Sequence, residues 1–117
     1  MGDYLVVGVN RDEDLTALKG PPVLNVKERA EILRHCKFID EVIEGTEYTP
    51  TLETLTKNRC SFYAHGDDPC IDINGVDVTA IFTKNNMYKQ FKRTEGVSTT
   101  SITGKLLDLA DFNLKKI

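Results

Sequence analysis

A three-layer α/β domain is the architecture this sequence predicts, and three observations carry that expectation. Short apolar runs rich in β-branched residues alternate with stretches of helical spacing. Gly, Pro and Asn punctuate the boundaries between them. The 117 residues suffice for one core and are too few for two ordinary domains, and no internal repeat points to a solenoid.

The elements follow in order. Tyr4 to Val9, YLVVGV, reads as a fully buried strand. NRDEDLTALKGPP is polar and rich in turn residues, so a long crossover loop, stopped by Gly20, Pro21 and Pro22, is expected next. NVKERAEILRHC then predicts a helix: Val26, Ala30 and Leu33 form one stripe, Asn25 caps it, and Glu28 stands where a capping carboxylate reaches back. Phe38 to Ile43 has the length of a strand, ended by Glu44 and Gly45.

Thr49 and Pro50 are placed to open a short helix whose apolar face is Leu52 and Leu55. SFYAH, Ser61 to His65, predicts a third strand with a bend at Gly66 and Asp67. Asn74-Gly75 is a strong turn signal, and Asp77 is placed to cap a segment that buries Val78, Ile81 and Phe82. Phe91 to Thr94 is expected as a short strand, followed by a helix from Ser98 that carries Ile102, Leu106, Leu107 and Leu109 toward the core.

Composition narrows the function classes. With 40% hydrophobic and 28% charged residues and 12 Gly plus Pro, the chain fits neither a disordered nor a collagenous class. Cys36, Cys60 and Cys70 lack the close pairing of a zinc ribbon or a redox motif, and their odd number argues against a disulfide framework. His35 beside Cys36 forms no metal face, because adjacent helical side chains diverge. No apolar run reaches the roughly 18 residues that span a bilayer, and none resembles a signal peptide. A reducing, cytoplasmic compartment is therefore expected. The net charge of −3 divides into −7 over residues 1–78 and +4 over residues 79–117. That asymmetry suits a phosphate ligand, while the lack of a basic tract interleaved with aromatics argues against nucleic acid. Lys115 and Lys116 are expected to keep the carboxyl terminus solvated.

Arg93-Thr94-Glu95-Gly96-Val97-Ser98-Thr99-Thr100 is the strongest local chemical signal. A guanidinium, a glycine turn, hydroxyls and helix-start amides concentrate donors around one anion. The same string also reads as a capped helix beside a solvent-facing arginine. His65-Gly66-Asp67-Asp68 reads equally as a nucleotide corner or a structural turn. Lys19 is either a phosphate-neutralising cation or a solvated loop residue. Arg29 either reaches a nucleotide or supports Glu28 and Glu31, and Asp12 either contacts a ligand or closes a turn.

Taken together, YLVVGVNRDE, LKG, NVKERAEILRHCKFIDEV, YAHGDD and FKRTEGVSTT resemble the cytidylyltransferase family over nearly the whole chain. The resemblance implies a Rossmann-like nucleotidyltransferase fold, with residues 1–117 forming a partial domain. It also implies a CTP-dependent reaction, aided by Mg²⁺, that converts ethanolamine phosphate to CDP-ethanolamine and pyrophosphate in phosphatidylethanolamine, hence phospholipid, biosynthesis. By position, Lys19 looks like the family's phosphate-facing lysine, Arg29 like its nucleotide arginine, and Arg93, Thr94, Gly96, Val97, Ser98 and Thr99 like its late phosphate-binding signature. Lys19, Arg93, Ser98 and Thr99 are the catalytic candidates. Asp12, His65, Gly66 and Asp67 correspond to nucleotide-pocket positions. Ala30 stands where related enzymes often carry an aromatic residue. The family's first strand and its H-x-G-H segment have no counterpart in these 117 residues, so impaired turnover by the isolated chain is expected. Choline phosphate and glycerol phosphate are the alternative acceptors, a non-catalytic nucleotide-binding subunit is the alternative role, and a homodimer is the assembly considered.

Overall fold

A computed structural model describes residues 2–115, and the side chains of residues 112–115 lie outside what is described. The first half contains β1 (Val6–Asn10), α1 (Asp12–Leu18), α2 (Val26–Arg34) and β2 (Glu41–Thr46). The second contains α3 (Leu52–Lys57), β3 (Tyr63–Gly66), α4 (Thr79–Lys84), β4 (Tyr88–Phe91) and α5 (Thr99–Lys115). Helices alternate with strands and both strand pairs are parallel, the pattern of a Rossmann-like nucleotidyltransferase. Parallel neighbours require a crossover, and α1–α2 and α4 supply the two crossovers here. Among the described residues the strands form two two-stranded sheets, β1-β2 and β3-β4, where the sequence predicts one.

α1 replaces the expected crossover loop. Asp12, Glu13 and Asp14 fill its first turn, where carboxylates complement the unpaired amides of a helix start. Arg11 donates from Nε and Nη2 to the two Asp14 oxygens at 3.0 and 3.2 Å. The helix ends at Leu18, two residues before Gly20, whose φ of +105° favours glycine. α2 begins as expected, with Asn25 Oδ1 accepting from the Glu28 amide at 2.9 Å and Glu28 Oε1 from the Asn25 amide at 3.2 Å. It packs on β1 and β2 through Ala30, which is fully buried.

β2 starts later than expected and runs through Glu44 and Gly45. Asp40 Oδ2 accepts the Leu5 amide at 2.7 Å and the Leu5 carbonyl accepts the Asp40 and Glu41 amides at 3.0 and 3.1 Å, so side chain and backbone together pair the entry, and Phe38 is left exposed. Gly45, at φ +73°, absorbs the register shift between Val9 and Asn10, and Thr46 still pairs with Asn10.

α3 is capped by Thr51, whose hydroxyl accepts from the Thr54 amide at 3.2 Å. β3 opens at Tyr63, two residues later than expected. Leu55, Cys70, Val78 and Phe82 form the core of the second half, with Tyr63, Met87 and Tyr88 against it. Burial is the main force pushing the Tyr63 hydroxyl above its ordinary value, and the Cys70 sulfur lies 3.5 Å from it. The Asn74-Gly75 turn forms, with Asp72 Oδ1 accepting from the Asn74 and Val76 amides. Asp77 accepts from the Thr79 amide and hydroxyl, but it stands one residue before the N-cap of α4, Val78, which makes no side-chain cap.

Three further expectations are corrected. Ile81 is half exposed, because the short α4 turns only Phe82 fully inward, with Val78 buried just before it. β4 ends at Phe91 instead of starting there. Asn86, at φ +55°, closes α4, the Met87 amide bonds the Phe82 carbonyl, and the Tyr88 ring reaches Tyr63 at 6.1 Å between centroids. Ile102, Leu106, Leu107 and Leu109 are 52–63% exposed rather than in the core. Among the described side chains of α5 only Ser101 and Gly104 are half-buried, so no described element covers its apolar face. The molecule is elongated, with extents of 59 × 29 × 28 Å. The solvation expected of Lys115 and Lys116 falls outside the described side chains.

Candidate active site

The register of β3 and β4 positions the site. Gly66 pairs with Phe91 at the last rung, so the chain leaves the sheet side by side at Asp67 and Lys92. Ligands of open parallel sheets gather at the carboxyl ends of the strands, which is where these two residues stand. A cavity of about 380 Å³ opens there, lined by Asp67, Lys92, Arg93, Thr94, Glu95 and Gly96 and closed by Val97, Ser98 and Ser101.

Local structure holds this loop open. Gly96 has φ +75°, a conformation that costs glycine little and strains other residues. Ser98 Oγ accepts from the Ser101 amide at 3.0 Å, and Ser101 Oγ donates to the Gly96 carbonyl at 3.3 Å. These bonds fasten the start of α5 to the turn before it. Arg93 Nη1 donates to Asp68 Oδ2 at 3.2 Å, linking the loop after β4 to the loop after β3. Both side chains are more than half exposed.

Of the residues singled out in the sequence, Asp67, Arg93, Thr94, Gly96, Val97 and Ser98 therefore meet in one cavity. Thr99 stands beside it as the first residue of α5. His65 and Gly66 close β3 just before it, and His65 Nδ1 lies 3.1 Å from the Gly66 carbonyl. Lys92 and Ser101 belong to the same neighbourhood and were missed, whereas Asp68 and Glu95 lay within the HGDD and RTEGVSTT strings that the sequence singled out. Ser101 was findable as the third residue after a capping serine, and Lys92 as the second cation in KR.

Asp12 and Arg29 form a separate cluster. Arg29 Nη2 donates to Asp12 Oδ1 at 2.5 Å and to the Asn10 carbonyl at 3.0 Å, and its Nε donates to the Leu24 carbonyl at 3.0 Å. Asp12 Oδ2 accepts the Val26 amide at 3.2 Å. The end of β1 and the starts of α1 and α2 are thus tied through one guanidinium, instead of Arg29 pairing with Glu28 or Glu31. Arg29 also lines a second cavity of about 390 Å³ with Gly8, Val9, Asn10, Ile32 and Leu33. Lys19 lies apart from both linings, its ammonium 6.0 Å from the centre of the Tyr48 ring.

Among the described residues no group of three or more His, Cys, Asp or Glu converges to hold an ion. All three cysteines are free, with Cys70 buried, and burial chiefly raises the Cys60 thiol. Among the described residues no helix is long and apolar enough to cross a membrane.

The cytidylyltransferase-like family model matches residues 1–105. The chain is 47% identical over 117 residues to an ethanolamine-phosphate cytidylyltransferase of Dictyostelium discoideum, covering 100% of this chain and 32% of that protein. A mouse (Mus musculus) ethanolamine-phosphate cytidylyltransferase is 43% identical over 107 residues, covering 92% of this chain and 26% of that protein. A probable choline-phosphate cytidylyltransferase of Schizosaccharomyces pombe is 39% identical over 104 residues, covering 89% and 29%. The chain spans about a third or less of these curated relatives.

Proposed function

The chain belongs to the cytidylyltransferase-like family, and from that premise we propose that it contributes the phosphate-binding part of a CTP-dependent transferase that converts ethanolamine phosphate to CDP-ethanolamine. The observation that carries this reading is the cavity at the ends of β3 and β4, where Arg93, the Gly96 turn and Ser98 face one space. An acceptor phosphate oxygen forms a bond to the α-phosphorus of CTP as the bond to the bridging oxygen breaks, and pyrophosphate leaves with that electron pair. No protein nucleophile takes part. Negative charge grows on the phosphoryl oxygens, and Arg93 with the hydroxyls and amides of Ser98 and Thr99 supplies donors fixed in advance. Lys19 is the second cation of the proposed machinery. Arg29, held by Asp12, lines the second cavity, and His65, Gly66 and Asp67 present the loop that enters the first.

A product assay tests the reading by comparing CTP with ATP and ethanolamine phosphate with choline and glycerol phosphates. CDP-ethanolamine is the expected product. Preference for ATP or glycerol phosphate would overturn the assignment. Choline phosphate is the second reading, favoured by the 39% identity to the probable choline-phosphate enzyme, and preference for it would move the acceptor to that class.

The 117-residue polypeptide by itself is proposed to turn over poorly, because its residues include no H-x-G-H and its strands stand in two separate pairs. Strand edges without partners favour self-association, so light scattering is expected to find dimers or larger species. Efficient turnover by a monodisperse monomer would contradict both statements.

A further inference from the structure

The guanidinium proposed to receive phosphate already has an anion beside it. Arg93 Nη1 lies 3.2 Å from Asp68 Oδ2, across 25 residues of sequence. The contact engages one nitrogen and one oxygen. Arg11, by contrast, grips both oxygens of Asp14, and Arg29 is fastened through Nε and Nη2 to three acceptors. The Arg93 and Asp68 side chains are 54% and 61% exposed, so the pair sits in a high dielectric and exchanges at little cost. Lys92 and Arg93 face Asp67 and Glu95 within the cavity, and Asp68 tips that balance toward acid.

We propose that Asp68 is a built-in competitor for the phosphate at Arg93, neutralising the guanidinium in the free protein and giving it up when a polyphosphate binds. Asp68 thereby sets how readily the site takes and releases its anion, acting through Arg93 as a positioning residue. A phosphate carrying two or more charges displaces a single carboxylate, because the fork of Arg93 donates to two of its oxygens at once.

This inference rests on the reading that Arg93 receives a phosphate, and calorimetric titration of the 117-residue chain with inorganic pyrophosphate separates the two. Asp68→Asn removes the charge and keeps the shape, and is expected to tighten binding about two- to five-fold, the range of an exposed ion pair. Asp68→Glu keeps the charge within reach and should restore the wild-type affinity. In an Arg93→Gln background, Asp68→Asn should give no tightening. A merely structural role for Asp68 would instead lower the melting temperature and weaken binding. Unchanged or weaker binding by Asp68→Asn, or equal tightening without Arg93, overturns the competitor role while leaving the phosphate reading intact. No pyrophosphate binding in wild type or Asp68→Asn overturns both.

Discussion

Replacing Arg29 with alanine removes the guanidinium that holds β1, α1 and α2 together. Three acceptors lose their donor at once: the Leu24 and Asn10 carbonyls and the Asp12 carboxylate. Hydrogen bonds involving a charged group contribute about 1.5–3 kcal/mol each. Arg29 and Asp12 keep 22% and 33% side-chain exposure, so water compensates part of the loss and screens the ion pair. A net cost of about 2 kcal/mol follows, or about 6–12 °C in melting temperature for a domain of this size. Thermal unfolding followed by circular dichroism reads it directly. Arg29→Lys should recover about half, since an ammonium keeps the charge but lacks the planar fork that reaches three acceptors. A double-mutant cycle with Asp12→Asn should give a coupling of about 1 kcal/mol. Melting of Arg29→Ala within about 1 °C of wild type, or strict additivity with Asp12→Asn, would refute the reasoning.

Other perturbations follow from equally specific contacts. A Cβ on Gly8 would stand 2.8 Å from Thr46 Cγ2 and 3.0 Å from its Oγ1, so Gly8→Ala should cost about 1–3 kcal/mol by overpacking, and Thr46→Ser should relieve part of it in a denaturant titration. Ala30 is fully buried between α2 and the sheet, so Ala30→Phe should lower stability by a similar amount, about 1–3 kcal/mol, in the same assay. Thr79 donates from hydroxyl and amide to Asp77 and holds its carboxyl below the ordinary 3.8. A lowered value stabilises the fold at higher pH, so the advantage of wild type over Asp77→Asn should be constant above about pH 5 and shrink in acid as Asp77 protonates; a pH-independent difference in melting temperature would contradict it. In the active enzyme Arg93→Ala should lower kcat about 10²–10³-fold, with partial recovery by Arg93→Lys, and near-normal turnover in both folded variants would reject its role.

The sequence was most legible where local chemistry fixes the outcome. Asn25 and Glu28 announced α2 because a capping box needs only neighbours, and Asn74-Gly75 announced its turn for the same reason. Legibility failed where a tertiary contact decided. α1 was hidden by a polar composition, since its acidic first turn and the Arg11–Asp14 pair leave no buried residue to mark a periodic stripe. β4 was displaced because Asn86, a non-glycine at positive φ, ended α4 earlier than any Gly or Pro signal would suggest. The leucines of α5 have the spacing of a core face, yet spacing cannot say whether a second surface is present to cover it. At the site, RTEGVSTT marked the loop, while the Arg93–Asp68 and Arg29–Asp12 pairs join residues 25 and 17 positions apart, beyond the reach of local spacing.

Whether the loop from Lys92 to Ser101 receives a polyphosphate is tested most directly by nuclear magnetic resonance of the ¹⁵N-labelled 117-residue chain titrated with inorganic pyrophosphate. Saturable shifts should concentrate on the amides of Arg93 to Ser101 and on Asp67 and Asp68, and should vanish in Arg93→Gln. Shifts confined to the cavity between β1 and α2, or the same shifts with Arg93 removed, would contradict a phosphate site at the ends of β3 and β4.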